Sequence, residues 1–571
     1  MNGPLDRRIA RRTFLAQMSA VVAAASAAPA LWPGAALAAE APAPAPPATL
    51  PPPARVPTPL TSADAYAAPR PEALADITEL TIAEAATLIR DGRLDPRVLV
   101  EAYLDRIAAF DGHYQAWNLV LADEAIEAAG ALVGSPYAGV LHGIPLAIKD
   151  NYYTAGVETT ANSFIFQGFL PPFDATAVTR LKVAGGVVLG KTQMGPLATT
   201  RATTPNGINT TVNAWNPSLN PGGSSTGTAT SVAGRMSTSG IGTQTGGSIT
   251  APSNAQNLTG LKPTMGRVSL FGIIPLTYTR DHPGPLARDA KDAAIMLTAM
   301  AGRDDADPRT QGLPPLPNLI EAATPAFHAQ QLRLRWPTRI GLTPGYTSGS
   351  SSTAQARRAF VETLAAVPGV TFVDVALPDE WNLLTGGTFN NVRLPERSEP
   401  FMPFLRQDLR LFGVSLTSWL QGTLMGGNEF LTGQRAKLLL LGRVLDQLFS
   451  QCDVVVQTDP VPFDIVGLPE LALPIGFGNN NAPIGTILGA MPYAEDRLLA
   501  VAAAYQALTD WHVRRPTNPP GTAPEPIAIE VGKPARPPGT GPRNLRGRVG
   551  PAPADPARGR LTAEEVAELT Q

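Results

Sequence analysis

The chain contains few of the residues that form disulfides or bind metals. Its 571 residues include one cysteine, Cys452, and five histidines at unrelated spacings. A single cysteine excludes an intramolecular disulfide and a thiolate metal site. The histidines match no metal-binding motif. We therefore expect a protein with no bound metal and no cofactor.

Charge of either sign is also scarce. Charged residues make up 16% of the chain, the formal net charge is −2, and 44% of the residues are apolar. This balance indicates a globular core and gives no reason to expect nucleic acid as a partner. Beyond the N-terminus, no apolar run is long enough to span a bilayer.

The N-terminus resembles a twin-arginine export signal. Residues 11–15 read Arg-Arg-Thr-Phe-Leu, and a weakly apolar, alanine-rich stretch follows at residues 18–31. Residues 36–38, Ala-Leu-Ala, supply the small side chains of a cleavage site. A membrane anchor is the alternative, but the apolar stretch is short. We expect residues 1–39 to be a signal that is cleaved after the twin-arginine export machinery delivers the protein. The mature protein is then expected to be periplasmic or secreted, with no stable membrane anchor.

Proline-rich segments flank the central part of the chain. Residues 40–70 are dominated by alanine and proline and are expected to form an extended linker. Residues 516–571 are also rich in proline and bury too little apolar surface to fold alone, so they are predicted to form a disordered tail. The segment between them, residues 71–515, is the predicted folded domain.

Three short motifs carry the candidate chemistry. An alternating apolar strand ends in Lys149, and two runs rich in glycine and serine, 221–227 and 242–249, contain Ser224 and Ser248. Runs of this composition are most often turns or linkers, so neither run is decisive by itself. The lysine and the two serines together, in this order and at these spacings, favour a catalytic interpretation.

The three side chains form a plausible proton relay. A serine hydroxyl is a weak nucleophile and needs a base within hydrogen-bond reach. Burial lowers the pKa of a lysine, and the neutral amine can then accept a proton. A second serine can pass that proton on, because a hydroxyl both donates and accepts. The relay would run from Ser248 to Ser224 to Lys149, and such general-base help is worth about 10²–10⁴-fold in rate.

This ordered set resembles the amidase signature family, whose catalytic residues are lysine, serine and serine in that order. The resemblance covers roughly residues 79–515. It implies an α/β fold: one large domain whose mixed, twisted sheet is covered by helices on both faces. It also implies hydrolysis of a carbon–nitrogen bond in a small-molecule or peptide-like amide through a serine acyl-enzyme. The implied catalytic residues are Lys149, Ser224 and Ser248.

The resemblance also assigns the oxyanion hole. By the family pattern it is formed by the backbone of Thr245, Gly246, Gly247 and Ser248, and a cis peptide bond precedes Ser224. Backbone N–H groups aimed at the developing oxyanion supply much of the stabilisation, and the loss of one donor costs about 3 kcal/mol. Glycines suit this role because they have no side chain to block the approach.

The chain departs from the family pattern at two positions. Gln244 stands where the family usually has aspartate, and Thr250 stands where it usually has arginine. In the family these two residues interact and brace the nucleophile loop. Because both are neutral here, their replacement leaves no unpaired charge and is compatible with activity. A catalytically impaired binding protein is the alternative.

Other functions remain open. The same three residues would support an esterase or a urethane hydrolase. The family also contains the subunit that releases ammonia for transfer-RNA amidation, but that role needs cytoplasmic partners, which the export signal argues against. Residues 223–227 match the G-x-S-x-G elbow of α/β-hydrolases, but a loop precedes them instead of a strand.

The resemblance implies that the substrate pocket is built partly by a segment after the central motifs, which here is rich in large apolar side chains. These residues could line an apolar pocket or pack a core, which is the commoner fate of aromatic side chains. They are Trp381, Leu383, Leu384, Phe389, Phe401, Phe404, Phe412 and Trp419.

Overall fold

A mixed sheet of 11 strands organises the part of the chain that the structure, a computed structural model, describes. The described residues are 71–199 and 209–533. The predicted export signal and linker, residues 1–70, lie outside them, as do residues 534–571 of the predicted tail. The sheet, its helices and the single large domain agree with the predicted fold class.

The strands follow one another irregularly across the sheet. The order is β1-β3-β2-β4-β6-β5-β12-β13-β11-β9-β10, and β7 and β8 form a separate two-stranded sheet. Their bounds are β1 (Trp117–Val120), β2 (Pro145–Lys149), β3 (Val187–Thr192), β4 (Ser239–Gln244), β5 (Thr259–Lys262), β6 (His282–Ala287), β7 (Ala326–His328), β8 (Gln331–Arg333), β9 (Thr338–Leu342), β10 (Val370–Asp374), β11 (Val454–Gln457), β12 (Glu470–Phe477) and β13 (Pro483–Ala490).

Helices connect most of these strands. Their bounds are α1 (Ile82–Arg90), α2 (Pro96–Tyr114), α3 (Ala122–Leu132), α4 (Thr176–Val183), α5 (Thr226–Ala233), α6 (Thr250–Ala255), α7 (Ala290–Met300), α8 (Leu319–Ala322), α9 (Ser352–Ala365), α10 (Trp381–Thr385), α11 (Gly387–Asn390), α12 (Leu394–Ser398), α13 (Met402–Gln407), α14 (Thr417–Leu424), α15 (Gly427–Arg443), α16 (Val461–Val466) and α17 (Glu495–Gln506). None of the helices in the described ranges combines the length and apolar character that a membrane crossing requires.

The centre of the sheet is buried on both faces. Strand β2 pairs in parallel with β3 on one side and with β4 on the other, whereas β4, β6, β5 and β12 pair antiparallel in turn. Every residue of β2, β4, β5 and β6 is buried. Successive side chains of a strand point to opposite faces, so helices and loops must cover both.

Glycines in β4 let helix α5 lie close against the sheet. A Cβ atom added at Gly240 would lie 2.6 Å from Thr228 Cγ2, and one at Gly242 would lie 2.5 Å from Ser225 Oγ. A larger residue at either position would push α5 outward. The start of α5 therefore sits directly over β4 and β2, beside the end of the strand that carries Lys149.

The predicted pocket aromatics mostly pack a core. Phe401, Phe412 and Trp419 are buried in a cluster with Met194 and Ile274. Their rings meet edge-on, with centroids 5.0 Å apart for Phe401 and Trp419, a favourable geometry for aromatic pairs. These three side chains are at most 2% exposed and stabilise the helical segment that carries them.

The predicted domain boundary at residue 515 is wrong. Residues 516–533 pack on the domain: the backbones of Ile529 and Leu74 exchange hydrogen bonds of 2.8 and 3.0 Å, and Ile77 N donates to Ile527 O. Ile529 is only 3% exposed. The burial and backbone pairing of these isoleucines attach this part of the predicted tail to the domain. The predicted boundary falls too early because the segment is rich in proline.

Candidate active site

Lys149 is fully buried among uncharged hydrogen-bond partners. It is the last residue of β2, and its Nζ lies 2.8 Å from Ser224 Oγ. Thr243, on the neighbouring strand β4, offers two further acceptors, with its Oγ1 at 2.9 Å and its carbonyl oxygen at 3.3 Å. Asn151 Nδ2 also donates to Thr243 Oγ1, which fixes that side chain. The parallel pairing of β2 with β4 thus places the lysine amine beside the Ser224 loop.

Burial makes Lys149 a usable base. It lowers the pKa of the amine to about 7, although the carboxylate of Asp281 opposes this shift. A neutral amine has two hydrogens and one lone pair. If the two acceptors of Thr243 take both hydrogens, the lone pair is left for the Ser224 hydroxyl. The predicted contact between Lys149 and Ser224 is therefore present, in the geometry that proton transfer needs.

The two serine loops lie side by side. The peptide bond between Gly223 and Ser224 is cis, as the family pattern implies. Ser225 N donates to Ser248 O at 3.4 Å, which joins the loops through their backbones. Within the described residues, no hydrogen bond links the side chains of Ser224 and Ser248. Catalytic hydrogen bonds are often long without substrate and shorten only when it binds.

The nucleophile loop joins β4 to α6. Ser248 is 2% exposed. A Cβ atom added at Gly246 would meet no other atom within 4 Å, so the space beside this residue is open. Gly247 has φ +90°, a conformation that favours glycine. Its N–H donates to Asp464 Oδ2 at 2.9 Å.

This contact involves one of the four predicted oxyanion-hole donors. The N–H of Gly247 donates to a buried carboxylate, that of Asp464. Among the predicted donors, Thr245, Gly246 and Ser248 form no backbone N–H hydrogen bond within the described ranges. Of these, Gly246 borders the open space, and Ser248 carries the nucleophile itself.

Gln244 and Thr250 still interact, although neither is charged. Gln244 Oε1 accepts from the N–H groups of Ile249 and Thr250, both at 2.9 Å, and from Thr250 Oγ1 at 3.2 Å. Gln244 Nε2 donates to Asp464 Oδ1 at 2.9 Å and to Glu470 Oε2 at 3.0 Å. The side chain therefore spans the nucleophile loop from its first residue to its last.

Asp281 supports the other side of the loop. It accepts a hydrogen bond from Thr245 Oγ1, and the backbone N–H groups of Leu276 and Thr277 donate to it at 2.8 and 3.0 Å. Burial raises the pKa of this carboxyl, and the hydrogen bond from Thr245 opposes the shift. Asp281 thus both orients Thr245 and acts electrostatically on Lys149.

Sequence reasoning missed the residues that support the relay. Thr243 lies inside the motif that contains Ser248, but the motif gives no sign of its role. Asp281 lies in a segment that resembles the family, which is a usable signal. Glu470 also lies in such a segment, residues 467–471, whereas Asp464 carries no local signal. The structure describes no group of three or more histidine, cysteine, aspartate or glutamate side chains that could hold a metal ion within residues 71–199 and 209–533.

Known proteins resemble this chain along most of its length. A sequence model of the family described as Amidase matches residues 98–402. A glutamyl-tRNA(Gln) amidotransferase subunit from Chloroflexus aggregans is 32% identical over 497 residues, covering 78% of this chain and 99% of that protein.

Solved structures share the fold. The native peptide amidase from Stenotrophomonas maltophilia aligns with a TM-score of 0.67 and 28% identity, covering 78% of this chain and 99% of that one. An amidase family protein from Bacillus anthracis aligns with a TM-score of 0.63 and 27% identity, covering 76% and 92%.

Proposed function

The chain belongs to the amidase signature family, and we propose that it hydrolyses a linear amide through an acyl-enzyme on Ser248. The observation that carries this proposal is the buried hydrogen bond of 2.8 Å between Lys149 Nζ and Ser224 Oγ. It provides a base of pKa about 7 beside the nucleophile loop. A general base is most effective when its pKa lies near the working pH.

The proposed reaction begins with proton transfer away from the nucleophile. Ser224 Oγ gives its proton to Lys149 Nζ and takes one from Ser248 Oγ, which attacks the amide carbonyl carbon. The carbonyl oxygen becomes an oxyanion, stabilised by backbone N–H groups of the nucleophile loop, residues 245–248. Lys149 then returns its proton through Ser224 to the nitrogen of the leaving amine, and the carbon–nitrogen bond breaks. Water releases the acyl group by the same relay in reverse.

The second question is which class of amide the protein cleaves. We propose a small-molecule or peptide-like substrate, supported by the alignment with a peptide amidase. The curated relatives named as amidotransferase subunits favour a second candidate, a protein that supplies ammonia from an amide to a partner. The same relay would also cleave esters or urethanes, whose carbonyl carbons are attacked in the same way.

One screen separates these candidates. The purified full chain is incubated with peptide amides, aryl amides, free glutamine, esters and urethanes, and ammonia and amine release are both measured. We expect turnover of peptide or aryl amides, and no turnover by the Ser248→Ala protein. If glutamine is the sole substrate that is turned over, with release of ammonia, the result would instead support the amidotransferase candidate. Turnover of esters without any amide would overturn the proposal.

We also propose that the protein is exported through the twin-arginine pathway. The motif at residues 11–15 and the cleavage site at residues 36–38 support this. Replacing Arg11 and Arg12 by lysine should retain the precursor in the cytoplasm. The exported wild-type protein should begin at Ala39 or Glu40. Exported material that still carries Met1 on N-terminal sequencing would contradict cleavage.

A further inference from the structure

A buried polar cluster lies behind the nucleophile loop. It contains Lys262 on β5, Asp464 on α16 and Glu470 on β12, all fully buried. Lys262 Nζ lies 3.1 Å from Asp464 Oδ1 and 3.0 Å from Glu470 Oε2. Gln244 Nε2 donates to the same two oxygens. Gln457 Nε2 donates to the other carboxyl oxygen of Glu470, Oε1, at 3.2 Å. One lysine and two amide groups thus face two carboxyl groups.

The charge of this cluster is closely balanced. Burial raises the pKa of Glu470 well above its usual range, and Asp464 adds to this shift while Lys262 opposes it. Lys262 Nζ lies within ion-pair distance of both carboxyl groups. His282, which pairs with Gln244 across β4 and β6, is kept neutral because burial and Lys262 hold its pKa well below the usual range.

One further cation acts on the cluster from outside it. Arg280 is buried, and its guanidinium donates to Asn390 Oδ1 at 2.7 Å. Burial lowers the pKa of Arg280 to about 9, and the Asp464 carboxylate partly opposes this shift. Arg280 thus acts electrostatically on Asp464, whereas Lys262 and Gln244 contact it directly.

We propose that Gln244 is a positioning residue: its hydrogen bonds connect this cluster to the nucleophile loop and hold the loop in place. We propose further that this role requires an uncharged amide at position 244. Its oxygen accepts from both backbone N–H groups that follow Ser248, and its nitrogen binds Asp464. Asp464 in turn holds the N–H of Gly247, immediately before Ser248. The loop is therefore fixed on both sides of the nucleophile through one side chain and one carboxylate.

A carboxylate at position 244 would break this arrangement. One of its oxygens could still accept from Ile249 and Thr250. The other would face Asp464 Oδ1 and Glu470 Oε2 at about hydrogen-bond distance, and like charges so close together cannot all be ionised. The new carboxyl would have to keep its proton. Because its pKa would be raised in the folded state, the favourable arrangement would be present at low pH and lost as the pH rises.

The test is the Gln244→Glu variant of the full chain, read out as the rate of Ser248 labelling by a fluorophosphonate from pH 6 to 10. The wild-type rate should rise through about pH 7 and then level off, following the pKa of Lys149. The variant should rise similarly and then fall by at least about tenfold at alkaline pH, since misplacement of a nucleophile by about 1 Å costs about 10²-fold.

A charge-exchange variant supplies the matched control. Gln244→Glu combined with Glu470→Gln keeps one amide and one carboxyl at these two positions, so the alkaline loss should disappear. The Gln244→Met variant, which can neither donate nor accept, should be slower at every pH with an unchanged profile. A level alkaline plateau in Gln244→Glu, or an alkaline loss that persists in the double variant, would overturn the proposal.

The inference rests on the proposed function only for its kinetic readout. Wild-type protein that the fluorophosphonate does not label would contradict the amidase proposal itself. The positioning proposal would still be tested by thermal unfolding, because Gln244→Glu should lose stability relative to wild type as the pH rises. The double variant should not show this loss. If Gln244→Glu does not fold at all, restoration of folding in the double variant supports the proposal, and failure to restore it counts against it.

Discussion

Ser248→Ala should reduce amide turnover by at least about 10³-fold and abolish labelling by a fluorophosphonate, with the fold retained. The substitution removes the oxygen that would form the acyl-enzyme, and residues that act as one catalytic unit show losses of this size or larger. Ser248 makes no side-chain hydrogen bond within the described residues, so its removal leaves no buried partner unsatisfied. Turnover, labelling and thermal unfolding measured on the same preparation check the three parts of this expectation.

Ser225→Ala is the matched control for this prediction. Ser225 is also a buried serine in a glycine-rich loop, but its Oγ makes only a long hydrogen bond of 3.5 Å to Thr243 O, which Lys149 Nζ also contacts, and it is not a partner of the amine itself. It should therefore keep most of the activity. Ser225 is also the central serine of the G-x-S-x-G pattern. An inactive Ser225→Ala protein together with an active Ser248→Ala protein would replace the proposed relay with the α/β-hydrolase elbow.

The strand ending in Lys149 could be predicted because its chemistry is local. Residues 144–148 are a short continuous apolar run, which is consistent with a fully buried strand. The burial of the lysine at its end is seen only in the structure. The contact with Ser224 could be inferred only through the resemblance, since no pattern in the sequence states that β2 pairs with β4.

The support of the nucleophile loop could not be predicted from the sequence. Gln244 and Asp464 are separated by 220 positions, and Asp464 lies on a short helix with no motif of its own. Gln244 and Thr250 are both neutral, so the sequence correctly predicts that neither position carries an unpaired charge. The charges that serve the loop come from β5, α16 and β12, and only the antiparallel pairing of β5 with β12 brings Lys262 opposite Glu470.

The burial that makes Lys149 a base also destabilises the fold. Its pKa falls from about 10.5 in the unfolded chain to about 7 in the native state. Below pH 7 both states are protonated, and the cost of burying the charge is fully present. As the pH rises from 7 towards 10.5, the unfolded state holds more protons than the native state, so the stability increases. Lys149→Met should therefore fold at least as stably as wild type at pH 6, which separates the catalytic role of Lys149 from a structural one.

Lys149→Arg should not restore the activity that Lys149→Ala or Lys149→Met loses. Activity needs the neutral amine, and kcat/KM reports ionisations in the free enzyme. The acidic limb of the wild-type kcat/KM profile should therefore have its midpoint near pH 7, the pKa of Lys149 coupled to the two serines. A guanidinium stays protonated throughout this range and cannot accept the proton of Ser224. Loss of the base should cost about 10²–10⁴-fold and remove that limb. The decisive measurement is the pH profile of the folded Lys149→Arg protein. Activity close to wild type at neutral pH would mean that the cation itself is sufficient, and the relay from Ser248 through Ser224 to Lys149 would have to be abandoned.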